Sequence, residues 1–282
     1  MDKRAAILGF QITFLTFAVL LLNAPLEKYV YSQWQWARDL ELDLGRALMV
    51  LSGGMLLLAV APLRRACAEM LAPRIPKGKI REVALALAMM WLVSLAASAL
   101  FALTFYLVGG EPRLARAMGD FRSNQARIEE ALQPSHLVMF VFVAGLIGPI
   151  VEELVFRGFL YRAWRDAWGW VWSAIASATV FGLFHGIVVP QLLSGIVLVV
   201  AMRRTGSMRT NIYAHALFNL LAWYPLLGQF VMPAGRSTGE IGVWWFQIAC
   251  LALSVVAVPL YMASARDASL RRAPEFAAPA LR

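Results

Sequence analysis

The chain has 282 residues, 60% of them hydrophobic and 15% charged, with a mean hydropathy of +0.65. A soluble domain of this length needs far more polar surface, so the composition points to an integral membrane protein. The net charge of +9 is spread over connecting segments rather than gathered in one patch, which argues against a nucleic-acid partner.

Apolar runs near the roughly 20 residues needed to cross a bilayer predict an all-α fold, a polytopic helical bundle of about eight transmembrane helices. Taken in chain order they cover 5–23, 46–63, 83–108, 137–161, 169–189, 190–203, 211–232 and 241–263. The first follows "MDKR" and has no small-residue cleavage site near "LLNAPLEK", so it reads as a retained span. Residues 1–136 form an N-terminal unit of three spans, none with a charge well inside it. Its connector "EPRLARAMGDFRSNQARIEEAL" (111–132) reads as a surface helix on the bilayer, or equally as a solvated loop helix. The core, 137–232, differs because ionisable groups recur inside its apolar runs. Within it, the span 190–203 is short and follows its predecessor with almost no loop, as a tilted or partly re-entrant segment would. Residues 233–265 hold the last span, and 266–282, with "RRAPEFAAPALR", read as a disordered tail.

With the N-terminus inside, most lysines and arginines fall in inward segments: the run from Arg64 to Arg81, Arg162, Arg165, Arg203, Arg204, Arg209 and the tail. The positive-inside rule then places both ends in the cytoplasm, with anionic lipid headgroups as the partner of the basic segments. Cys67 and Cys250 show no pairing or metal spacing and receive no role.

Within the core, "IVEELVFRGF" (150–159) sets Glu152, Glu153 and Arg157 into an apolar stretch. Each such charge costs on the order of 2.5–3.5 kcal/mol on insertion scales. Glu153 and Arg157 are four apart and share a helical face, so an ion pair between them lowers the burial cost of both. Glu152 is turned away from Arg157 and is not neutralised by its own helix. A half-solvated anchor at the helix end accounts for the trio equally simply. Next, "FGLFHG" puts Phe181 and His185 one turn apart, and "HALFN" does the same for His215 and Asn219. Singly, each reads as well as packing or as an interhelical hydrogen bond. Jointly, three neighbouring helices offer two carboxylates, two imidazoles, a carboxamide and a guanidinium, which a shared polar cavity satisfies at least cost.

A carboxylate and an imidazole around one water can deprotonate it for attack on a carbonyl. A further histidine and an asparagine can donate to the oxyanion that develops. The set suits amide hydrolysis at the membrane. No serine or cysteine nucleophile stands at a recognisable spacing from histidine, and HExxH is absent. A zinc site built from His185, His215 and Glu152 is the physical alternative.

At these residues the sequence resembles the CPBP family of intramembrane proteases, which includes CAAX prenyl endopeptidases and proteins grouped as bacteriocin-processing or abortive-infection factors. The pattern EExxxR, FxxxH, HxxxN appears in order as Glu152-Glu153 with Arg157, Phe181 with His185, and His215 with Asn219. Gly158 and "RRTGSM" (203–208) are similar as well, and the likeness covers roughly 140–222. The resemblance implies an intramembrane endopeptidase acting on a membrane-associated protein or peptide. In it Glu152 and His185 activate water, His215 and Asn219 form the oxyanion hole, Glu153 and Arg157 support the site, and Phe181 packs beside it. It implies no required cofactor, with zinc as the alternative. Residues 1–136 carry no likeness and are the expected substrate-selecting region, so prenylated substrates are not carried over. A bacterial inner membrane is the expected location. The competing readings are a non-catalytic immunity or partner-binding protein on the same scaffold, and a transporter using the same groups as an ion path.

Overall fold

A computed structural model describes residues 53–55, 57–76, 79–131, 141–185, 188–222 and 241–270. Among these residues every regular element is helical. The predicted span 5–23, the first part of 46–63 and the second half of 211–232 lie outside them.

Helix α1, Ala61–Leu71, was not anticipated, because "RRACAE" is too polar for a span. A proline stands in its first turn, where the missing N–H costs nothing. Its buried residues Leu63, Ala66, Cys67 and Met70 recur at i, i+3, i+4 and i+7, the stripe of an amphipathic helix. Burial pushes the Cys67 thiol up to about 11, which leaves it protonated and unreactive.

Helix α2, Arg81–Ala131, joins the predicted 83–108 span to the predicted surface helix and breaks at Gly109 and Gly110. Four elements then run end to end. They are α3 (Val141–Ile147), α4 (Gly148–Glu152), α5 (Glu153–Leu160) and α6 (Tyr161–His185), with α3 and α5 wound as π-helix. Pro149 lies in the first turn of α4 and has no N–H for the carbonyl four residues earlier.

The predicted end at residue 161 is too early. The helix runs on through "YRAWRDAW" and turns at Gly169, whose φ of 72° lies in the left-handed region where only glycine is at ease. Charges and tryptophans read as loop in sequence, but here they form the interfacial end of the helix, where Trp164 and Trp168 stack with centroids 5.2 Å apart. The rest of α6 returns antiparallel, so Phe156 meets Phe181 at 5.1 Å between centroids while Glu152 lies level with His185.

Helix α7, Val188–Thr205, is continuous through the short predicted span. It packs against α2, α6, α8 and α9, and Ile196, Val197, Leu198, Val199, Val200, Ala201 and Met202 are all buried. It ends on Gly206, φ 73°, whose N–H donates to the Met202 carbonyl at 2.8 Å as an αL cap. Helix α8, Met208–Ala222, follows at once. Helix α9, Ile241–Leu270, runs into the predicted disordered tail, because "SARDASL" continues with residues a helix accepts.

Three of these helices are long and apolar enough to cross a membrane: Arg81–Gly110, Val188–Thr205 and Phe246–Ala265. Eight crossings are not established among the described residues. Large side chains such as Leu107, Trp172, Leu253, Val255 and Leu260 stand outward, as they do toward lipid.

The arginine-rich ends meet at one end of the bundle. Arg204 of α7 clasps Glu82 of α2 with two hydrogen bonds of 2.7 and 2.9 Å and also donates to Ser264 of α9. Arg209 donates to the Leu71 carbonyl at 2.8 Å, and Ser207 donates to the Pro73 carbonyl at 2.7 Å. This basic end ties α1, α2, α7, α8 and α9 together and fixes where α8 enters the bundle.

Candidate active site

Every side chain singled out in the core lies on α4, α5, α6 or α8. Glu153 is fully buried, and its carboxylate accepts three hydrogen bonds. Arg157 donates to Oε1 at 2.9 Å, His215 Nδ1 donates to the same oxygen at 2.9 Å, and Asn211 Nδ2 donates to Oε2 at 3.0 Å. The ion pair expected from the four-residue spacing is therefore present, in π-helix rather than α-helix.

Arg157 is 1% exposed, and its guanidinium lies 4.3 Å from the centroid of the Phe181 ring, a cation–π contact in a site without bulk water. Phe181 also touches both imidazoles, with centroid distances of 4.4 Å to His185 and 5.9 Å to His215. It is the apolar wall shared by the three charged motifs. Room for Arg157 comes from α7: a Cβ on Gly195 would stand 3.1 Å from the guanidinium and 2.7 Å from the Ala178 Cβ.

Glu152 faces a different way from Glu153. Its Oε2 lies 3.6 Å from His215 Nε2 and 3.8 Å from His185 Nε2. That oxygen is buried and has no hydrogen-bond partner among the described residues. His185 Nδ1 is 2.8 Å from the Phe181 carbonyl, and a carbonyl can only accept, so Nδ1 carries the proton and Nε2 is left toward Glu152. His215 is held likewise, with Nδ1 on Glu153 and Nε2 toward Glu152. The two glutamates thus grip His215 from opposite sides. Glu152 Oε2 and His185 Nε2 therefore face each other as two acceptors, the surroundings that polarise a water or an N–H. Asn219 stands one turn beyond His215 on α8, half-buried. No group of three or more His, Cys, Asp or Glu among the described residues has the geometry to hold a metal ion.

Asn211 was missed in the sequence, although the signal was there. It precedes His215 by one helical turn, the same spacing that drew notice to Asn219.

Comparison with known proteins bears on this geometry. Residues 134–221 match the family model "Type II CAAX prenyl endopeptidase Rce1-like". All three motifs and Asn211 fall inside this Rce1-like segment, which agrees with the resemblance read from the motifs. The chain is also similar to "Putative membrane peptidase YdiL" of Bacillus subtilis (strain 168), at 26% identity over 105 residues, 36% of this chain and 42% of that protein. The match therefore spans less than half of that relative. No solved structure matches the chain. With its apolar helices and its Rce1-like segment, the chain is a membrane protein.

Proposed function

We propose that the protein is an intramembrane endopeptidase that hydrolyses a peptide bond of a membrane-associated protein or peptide. The observation that carries this reading is the meeting of Glu152, His185 and His215 from three different helices at separations of 3.6 and 3.8 Å, inside an Rce1-like segment.

In this reading a water held by Glu152 and His185 gives a proton to Glu152 as it attacks the scissile carbonyl. His215 and Asn219 then face the tetrahedral oxyanion. To donate from Nε2, His215 carries protons on both nitrogens throughout the cycle, and Glu153 on Nδ1 compensates its charge. Arg157 balances Glu153 in turn. Glu152 delivers its proton to the leaving amine, which restores the starting state. No step is routed through a metal in this reading, because side chains already supply the base and the oxyanion donors. Activity that persists after chelation in protein holding no stoichiometric zinc supports this version, and loss of activity restored by zinc overturns it.

The basic end is the cytoplasmic one in this reading, by the positive-inside rule, in the inner membrane of a bacterium. The candidate substrates are a bacteriocin leader, a regulatory peptide and a C-terminal membrane-anchor sorting signal. The test compares the membrane proteomes of a deletion strain, a Glu152→Gln strain and wild type. Proteins shortened in wild type and full-length in both others are the substrates. Processing that is intact in the Glu152→Gln strain overturns the assignment and favours an immunity or partner-binding role.

A further inference from the structure

We propose that Asn211 is a positioning residue that fixes the protonation of His215 through Glu153, an inference that rests on the endopeptidase reading above. Asn211 is fully buried, so its carboxamide is ordered by protein rather than by solvent. Its Nδ2 donates to Glu153 Oε2 at 3.0 Å, while Arg157 and His215 share Oε1 at 2.9 Å each. The division matters. A carboxylate held at one oxygen can rotate about its terminal torsion, which is broad for this side chain. Donors at both oxygens fix the plane of the carboxylate and hence the direction in which Oε1 meets His215 Nδ1. Because the hydrogen bond on one imidazole nitrogen decides the state of the other, Asn211 determines what His215 presents to Glu152 without touching the reacting atoms. Asn211 and His215 are one turn apart on α8, so a single rigid element carries both.

The chain has three histidines, so the ¹⁵N spectrum of histidine-labelled protein in detergent is assignable with His136→Gln and His185→Gln controls. In wild type, His215 Nδ1 gives the signal of a nitrogen that stays protonated. In Asn211→Leu, close in size but without a donor, that signal moves toward the average of protonated and unprotonated states. On a substrate found by the proteome comparison, kcat falls about 10–100-fold with KM within about twofold, the mark of misplacement rather than lost binding. Asn211→Thr, which keeps a hydroxyl donor, recovers most of both signals. If the leucine variant does not fold, Asn211→Ala makes the same comparison. A His215 signal identical to wild type in the donor-free variant overturns the inference. Wild-type cleavage by Glu152→Gln overturns the protease reading instead, and the His215 signal still decides the role of Asn211.

Discussion

At the scale of single residues, the two adjacent glutamates do different work because of what surrounds each. Glu153 has three donors and no exposure, so its charge is compensated where it stands. Removing it leaves Arg157 buried without its counter-ion, and breaking a buried pair costs about 3–5 kcal/mol. Glu153→Ala is therefore expected to lower the melting temperature in detergent by about 10 °C or more, at about 2–4 °C per kcal/mol for a chain of this class. A melting temperature equal to wild type would count against the pairing. Glu152 has one buried oxygen without a hydrogen-bond partner among the described residues and two imidazoles near it. Asn219 acts at the same scale. As an oxyanion donor it is worth about 10²–10³-fold in kcat, and Asn219→Ala is expected to lose that much at unchanged stability. A loss below about threefold would remove it from the oxyanion hole.

At the scale of elements, the site depends on close approach. Helices α6 and α7 meet where Gly195 lies against Ala178, and the same gap lodges Arg157. Adding side-chain bulk in a packed core costs about 1–3 kcal/mol, and here it presses on a charged group as well. Gly195→Val is expected to lower both the melting temperature and the cleavage rate, whereas Ala178→Gly should leave the rate within about twofold. Equal activity in the valine variant would show that Arg157 is not held there.

This scale also shows what was legible in the sequence. Motifs at i, i+4 spacing could be read because one turn of helix is local geometry, and π-winding in α5 did not separate Glu153 from Arg157. Depth was not legible. The hairpin at Gly169 carries the first limb past its predicted end at 161 and sets Glu152 level with His185. Helix α1 was hidden because its apolar stripe is narrow and its exposed face basic. Asn211 and Asn219 both lie one turn from His215, and only the packing of α8 on α5 decides that Asn211 meets Glu153.

At the scale of the molecule, the basic end works as a clamp remote from the chemistry. Glu82 is buried, while Arg204 keeps some exposure, so their pair falls between exposed pairs worth about 0–1 kcal/mol and buried ones worth about 3–5 kcal/mol. Glu82→Ala is expected to loosen α2 from α7 and α9 and to speed proteolysis at this end. The cleavage rate per folded molecule should stay within about twofold of wild type. A large loss of rate in folded protein would instead tie the clamp to the site.

The central claim is that Glu152, placed between two imidazoles, activates water, and the direct measurement is cleavage of an identified substrate by purified wild type and Glu152→Gln. The glutamine keeps the size and hydrogen-bonding edge of the side chain and cannot take the proton. The account predicts a folded, membrane-inserted variant with wild-type melting behaviour and cleavage below about 10⁻² of the wild-type rate, the scale on which general-base catalysis is lost. Cleavage at the wild-type rate by that variant would contradict it.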